Sequence, residues 1–123
     1  MLRDTSLRPD EQALVETFAE QLCERLGDHV HDVWLFGSRA RCEQPSDESD
    51  VDVLVLVDDA SWDGRMGVRK ILDDAAHQLD LDALPWSFSV HVHTPTWLTE
   101  RREIKSFFVA ELDRDKVLVH GQA

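Results

Sequence analysis

The chain is short of cysteine, lysine and long apolar runs, and each shortage removes a class of protein. Only two cysteines occur, Cys23 inside a helical pattern and Cys42 in a loop, without the spacing of a zinc site or a disulfide framework. Both are expected to be free thiols. No apolar run approaches the roughly 20 residues that a membrane span requires. The N-terminal stretch MLRDTSLRPDEQ has neither a continuous apolar segment nor a small-residue cleavage site. A soluble, cytoplasmic protein with no membrane contact is the expectation. Lysine is confined to Lys70, Lys105 and Lys116, and 13 basic side chains face 25 acidic ones, for a net charge of −12. That excess disfavours a nucleic-acid backbone as partner, which calls for lysine and arginine. It suits a solvated surface, a basic protein partner or divalent cations. No repeat, low-complexity tract or linker interrupts the 123 residues, so a single domain spanning 1–123 is expected.

What is present reads as alternating helices and strands. Leu14, Phe18, Leu22 and Leu26 recur every four residues after Pro9-Asp10, with Gly27 as a C-cap. Val30 to Phe36 is a β-branched and aromatic strand that stops at Gly37-Ser38, and 39–49 fits a short helical turn followed by a loop. Val51 to Val57, VDVLVLV, is nearly unbroken in its apolarity, as in strands covered on both faces. Ser61 can cap a helix carrying Val68, Ile71, Leu72, Ala75, Ala76 and Leu79 at helical spacing. Ser87 to His93 alternates, with Phe88, Val90 and Val92 on one face and Ser89, His91 and His93 on the other. Thr94-Pro95-Thr96 is expected as a break, Ile104, Phe107, Phe108 and Leu112 as a last helix, and Lys116 to His120 as a closing strand. Trp34, Trp62, Trp86 and Trp97 read as core or surface packing. This order describes an α/β or α+β domain with helices packed on one sheet.

Two features carry chemistry. Gly37-Ser38, at the end of an apolar strand, can bring backbone N–H groups against phosphate oxygens, because glycine has no Cβ to intervene. Arg39 and Arg41 follow as phosphate contacts. Asp50 and Asp52 flank Val51 at the start of the second strand, where residues i and i+2 share a face with Cα atoms roughly 6.5 Å apart. Two carboxylates so placed can aim at one hard cation such as magnesium, which takes oxygen ligands. Phosphoryl and nucleotidyl transfer need this pairing of a phosphate cradle with a metal-binding acid pair. His91-x-His93 offers a weaker metal pair without a third ligand at recognisable spacing.

The stretch from Leu35 to Val57, LFGSRARCEQPSDESDVDVLVLV, resembles the signature of the DNA polymerase β-like nucleotidyltransferases, in particular their minimal (MNT) domains. The resemblance implies the polymerase β-like fold, a mixed sheet of about 3–4 strands with helices packed on it. It implies that Gly37, Ser38 and Arg39 hold the triphosphate of ATP, and that Asp50 and Asp52 are the catalytic acids that bind magnesium. Members of the family usually carry a third acid on the next strand, as base toward the accepting hydroxyl. Here that position falls at Ser89, and SFSVHVH contains no acid. Three readings stay open: a remote acid such as Asp80 or Asp82 substitutes, His91 acts as base, or the domain binds nucleotide without turnover.

Small members of this family lack a domain to hold an acceptor, and the chain ends soon after its third strand, so the resemblance places the acceptor in another chain. In two-gene systems that partner is a helical HEPN protein, the MNT member is the antitoxin, and some MNT members transfer AMP from ATP to the HEPN toxin. The alternatives are a degenerate nucleotide-binding or interaction module that masks a partner, and a small-molecule adenylyltransferase assembled across a homodimer.

Overall fold

The structure, a computed structural model, describes residues 7–37, 50–103 and 116–120. Pro9 occupies the first turn of helix α1 (Pro9–Leu26), where its missing N–H leaves no hydrogen bond unmade. The N–H of Arg8 donates to Glu11 Oε1 at 2.9 Å, and that reciprocal cap buries Glu11 to 1% exposure. Leu14, Val15, Phe18, Ala19 and Leu22 form the buried face of α1, and Gly27, at a φ of +54°, ends it. Strands β1 (Val30–Phe36) and β2 (Val51–Val57) match the bounds read from the sequence. Helix α2 (Trp62–Gln78) begins where Ser61 Oγ accepts the Gly64 N–H at 3.3 Å, and it buries Val68, Ile71, Leu72, Ala75 and Ala76. A 3-10 turn, Leu84–Ser87, leads into β3 (Phe88–His93), followed by α3 (Pro95–Glu103) and β4 (Val117–His120).

The sheet runs β3-β2-β1-β4. β1 is antiparallel to both β2 and β4, while β2 and β3 are parallel and joined through α2, so the sheet is mixed as expected. Alternation divides each strand between two clusters. Val33, Leu35, Val51, Val53, Val55, Phe88 and Val92 pack with the apolar faces of α1 and α2. Trp34, Phe36, Leu54 and Leu56 face the opposite way and meet Leu98 of α3. β2 is therefore apolar on both faces, with Asp52 as its exception.

Some expectations shift by local chemistry. Ser87 joins the turn before β3, and Lys116 lies just ahead of β4. Thr94-Pro95-Thr96 ends β3 but at once starts α3, because Thr94 Oγ1 accepts the Trp97 N–H at 3.1 Å and Pro95 supplies a helix-compatible φ without a donor. The last helix expected from Ile104, Phe107, Phe108 and Leu112 lies outside the described residues, as do the turn and loop over 39–49 and the Cys42 thiol. Cys23 is a free thiol whose pKa is pushed up by burial and then by Glu24. Trp34 is buried, whereas Trp62 and Trp86 stand in solvent. Among the described residues no helix is long and apolar enough to cross a membrane.

α3 is tied to β3 by a stack: the His93 and Trp97 rings lie 3.6 Å apart at 6°. Burial first, then Arg65, His91 and Arg101, push the His93 pKa down to about 4. Below its ordinary value of 6.5 the unfolded chain takes up a proton that the folded chain refuses until about pH 4. Stability linked to His93 is therefore present above pH 6.5 and lost as the pH falls toward 4. Urea unfolding across that window is expected to show a steeper acid loss for the protein than for His93→Phe. Identical pH profiles would show that the imidazole contributes nothing to the acid sensitivity.

Candidate active site at the head of the central strand

Gly37 follows the last residue of β1 at a φ of +76°, a left-handed conformation that favours glycine. A second constraint acts on the same residue. A Cβ built on Gly37 would lie 2.5 Å from Asp52 Oδ2, so the turn calls for glycine and a larger residue would also displace the carboxylate beside it. The antiparallel pairing of β1 and β2 makes this contact, since Phe36 stands opposite Asp52. Asp50 is exposed immediately before β2, and Asp52 is half-buried two residues on. Strand alternation puts Asp52 on the face of Trp34, Phe36, Leu54 and Leu56, away from α1 and α2.

The parallel register of β2 and β3 sets Ser89 directly beside Asp52, with His91 opposite Leu54 and His93 opposite Leu56. Opposed residues share a face, so Asp52, Ser89 and His91 look onto the same surface. Ser89 Oγ is 3.3 Å from His91 Nε2, and the imidazole tilts against Phe36 with ring centroids 5.4 Å apart. Burial pushes the His91 pKa down, which keeps the ring neutral at pH 7 and able to accept a proton. The position expected for a third acid is thus adjacent to Asp52, and it holds a hydroxyl.

Other candidates do not converge here. Asp82 Oδ1 instead meets His77 Nδ1 at 3.0 Å. Among the described residues no three His, Cys, Asp or Glu side chains come together to hold a metal ion, so neither Asp80 nor Asp82 completes a triad with the acid pair. The same holds for His91 and His93, whose second ring is stacked on Trp97. Ser38, Arg39 and Arg41 lie outside the described residues. One cation was not singled out by the sequence: Lys116, just before β4, holds its Nζ 3.9 Å from the centre of the Trp34 ring, on the face that carries Asp52. Its only sequence signal is scarcity of lysine.

With this geometry in place, comparison with known proteins gives a consistent picture. Residues 15–118 match the family model described as nucleotidyltransferase domain. No curated protein matches the sequence at a significant level. A chain from a crystal structure described as a toxin-antitoxin with AMP-PNP shares 18% identity, covering 87% of this chain and 73% of that one, with a TM-score of 0.50. A chain of the toxin-antitoxin MntA-HepT shares 17% identity over 90% of this chain and 73% of that one, with a TM-score of 0.47. The first of these likenesses supports the nucleotidyltransferase fold.

The contact between Gly37 and Asp52 is open to a double-mutant cycle. Gly37→Ala carries a left-handed non-glycine residue, worth on the order of 1–3 kcal/mol, plus the clash with Oδ2. In an Asp52→Ala background only the backbone cost remains, so the second substitution is expected to be milder by roughly 1 kcal/mol in urea unfolding. Equal costs in both backgrounds would mean that the carboxylate does not press on Gly37.

Proposed function

Because the chain belongs to the nucleotidyltransferase domain family, we propose that it transfers AMP from ATP to an acceptor protein at a site formed by Gly37, Ser38, Asp50 and Asp52. The observation that carries this reading is the Asp52 carboxylate set against the left-handed Gly37 at the ends of paired strands. That arrangement joins a turn that can receive phosphate oxygens to a pair of hard oxygen donors, the donor set that suits magnesium. A magnesium ion held by Asp50 and Asp52 would neutralise charge on the triphosphate and on the departing pyrophosphate. Gly37 and Ser38, with Arg39, hold the triphosphate. The acceptor hydroxyl oxygen bonds to the α-phosphorus as the bond to pyrophosphate breaks. Its proton passes to the neutral His91 ring, directly or through the Ser89 hydroxyl 3.3 Å away.

The acceptor is read as a helical HEPN-type toxin, with this chain as its antitoxin. Fold likeness to a chain of a toxin-antitoxin solved with AMP-PNP supports that reading. A second reading is favoured by one observation, the serine rather than an acid beside Asp52. In it the domain binds nucleotide and masks its partner without turnover.

Label transfer from α-labelled ATP to the co-purified partner, together with calorimetry of ATP and magnesium, separates the two. Asp50→Asn/Asp52→Asn is expected to abolish both nucleotide binding and transfer. His91→Ala is expected to lower transfer about 100-fold with binding unchanged, the scale of a lost general base, and Ser89→Asp to restore it. Nucleotide binding without any transfer in the unmodified protein would leave the masking module, and absence of binding would remove the nucleotide site altogether.

A further inference from the structure

β3 is an edge of the sheet, and among the described residues no strand pairs with its outer side. Arg69 Nη1 donates to the Phe88 carbonyl at 3.5 Å, and the Phe88 N–H donates to the Pro85 carbonyl, so the Phe88 backbone faces away from β2. Backbone direction alternates along a strand, which turns the N–H and C=O of Val90 and Val92 outward as well. Among the described residues no backbone group pairs with them. Along this edge runs a cavity of about 220 Å³ lined by Arg65, Arg69, Val90, His91, Val92 and His93.

The cavity is cationic in a chain of net charge −12. Arg65 and Arg69 are one helical turn apart on α2 and point to the same side. Arg65 Nε donates to the Ala60 carbonyl at 2.9 Å, and among the described residues it meets no carboxylate. Arg69 holds the Pro85 carbonyl at 2.8 Å and reaches the Asp73 carboxylate only at 3.8 Å. The two guanidinium groups thus keep most of their charge for an outside anion.

We infer that the outer edge of β3 docks an extended, acidic segment of the acceptor protein, which pairs its backbone with Val90 and Val92 and sets its carboxylates on Arg65 and Arg69. Strand addition of this kind takes affinity from main-chain hydrogen bonds and selectivity from alternate side chains. The direction is productive. Ser89 lies one residue from Val90 and beside Asp52, so a segment running along the edge passes the acid pair within a few residues. This deepens the transferase reading, on which it rests for the fate of the segment but not for its binding.

The full chain is titrated with two short fluorescein-labelled peptides, one alternating glutamate and valine and the other lysine and valine. The acidic peptide is expected to bind at least about tenfold more tightly, a difference that Arg65→Glu removes or inverts. Amide exchange at Val90 and Val92 is expected to slow on saturation. Val90→Pro deletes an outward donor while leaving the ladder to β2, since sheet edges accept proline, and it is expected to weaken binding with native circular dichroism retained. Equal binding of both peptides, or unchanged exchange at Val90 and Val92, overturns the assignment. Titration of ATP with magnesium in the same samples keeps the two readings apart. Nucleotide binding without peptide binding removes only the docking edge, and peptide binding without nucleotide binding removes the transferase reading.

Discussion

A half-buried carboxylate at the head of an otherwise apolar central strand is the constraint on which the rest of the molecule depends. β2 has a strand on each side and a hydrophobic cluster on each face, so Asp52 shares its surface with Phe36, Leu54 and Leu56. A charge so placed loses hydration and must be compensated. Position at the strand end is the first compensation, because exposed backbone begins two residues away, at Asp50. Gly37 contributes sterically, by leaving clear the volume that Oδ2 occupies. Moving the acid two residues along β2 would set it at Leu54, which is fully buried, where its desolvation would no longer be offset.

The distribution of helices follows from the same requirement. α1 and α2 both cover the face of Val51, Val53 and Val55, and together they close the larger core. α3 starts directly after β3 and meets the other face at Leu98, by the end of β2 that carries Leu54 and Leu56. Among the described residues, the end that carries Asp52 and Ser89 is left to the proposed site. Coverage of the second face by the described residues is therefore graded along the strands, from the His93–Trp97 stack at one end to the acid pair at the other. A sheet covered evenly on both faces would be a better core and would leave no open end for the proposed site.

Features with local causes were legible in the sequence, and features that depend on pairing were less so. The bounds of β1 and β2 follow from β-branched runs closed by glycine and aspartate, and α2 from a helical period with Ser61 as its cap. That Gly37 must be glycine follows from turn chemistry, but its contact with Asp52 arises only when the strands pair. The family resemblance put the third-acid position at Ser89, and the parallel register sets that residue beside Asp52. Thr94-Pro95 signals both the end of a strand and the start of a helix, and reading it as a break captured only the first. The burial of Glu11 had no signal beyond a capping pattern. Arg65 and Arg69 carry no signal of their own in the sequence, because only the sheet order reveals that β3 is an edge.

Serine in place of an acid beside Asp52 alters the electrostatics of the proposed site more than its shape. Two like charges near 4 Å repel by about 4 kcal/mol at an effective dielectric constant of 20, so each added carboxylate makes the metal-free site harder to hold together. With Ser89 the site keeps the acid pair and forgoes that repulsion, at the cost of an anionic base and of a ligand for a second cation. His91 fits the remaining need on different terms. Burial lowers its pKa, so it is neutral at pH 7, and the hydroxyl that replaces the acid lies 3.3 Å from its Nε2. Protonation removes the lone pair that a base of this kind uses, so acidification ends its role. Transfer at the proposed site would accordingly rest on a ring that must stay unprotonated, while nucleotide binding rests on the acid pair.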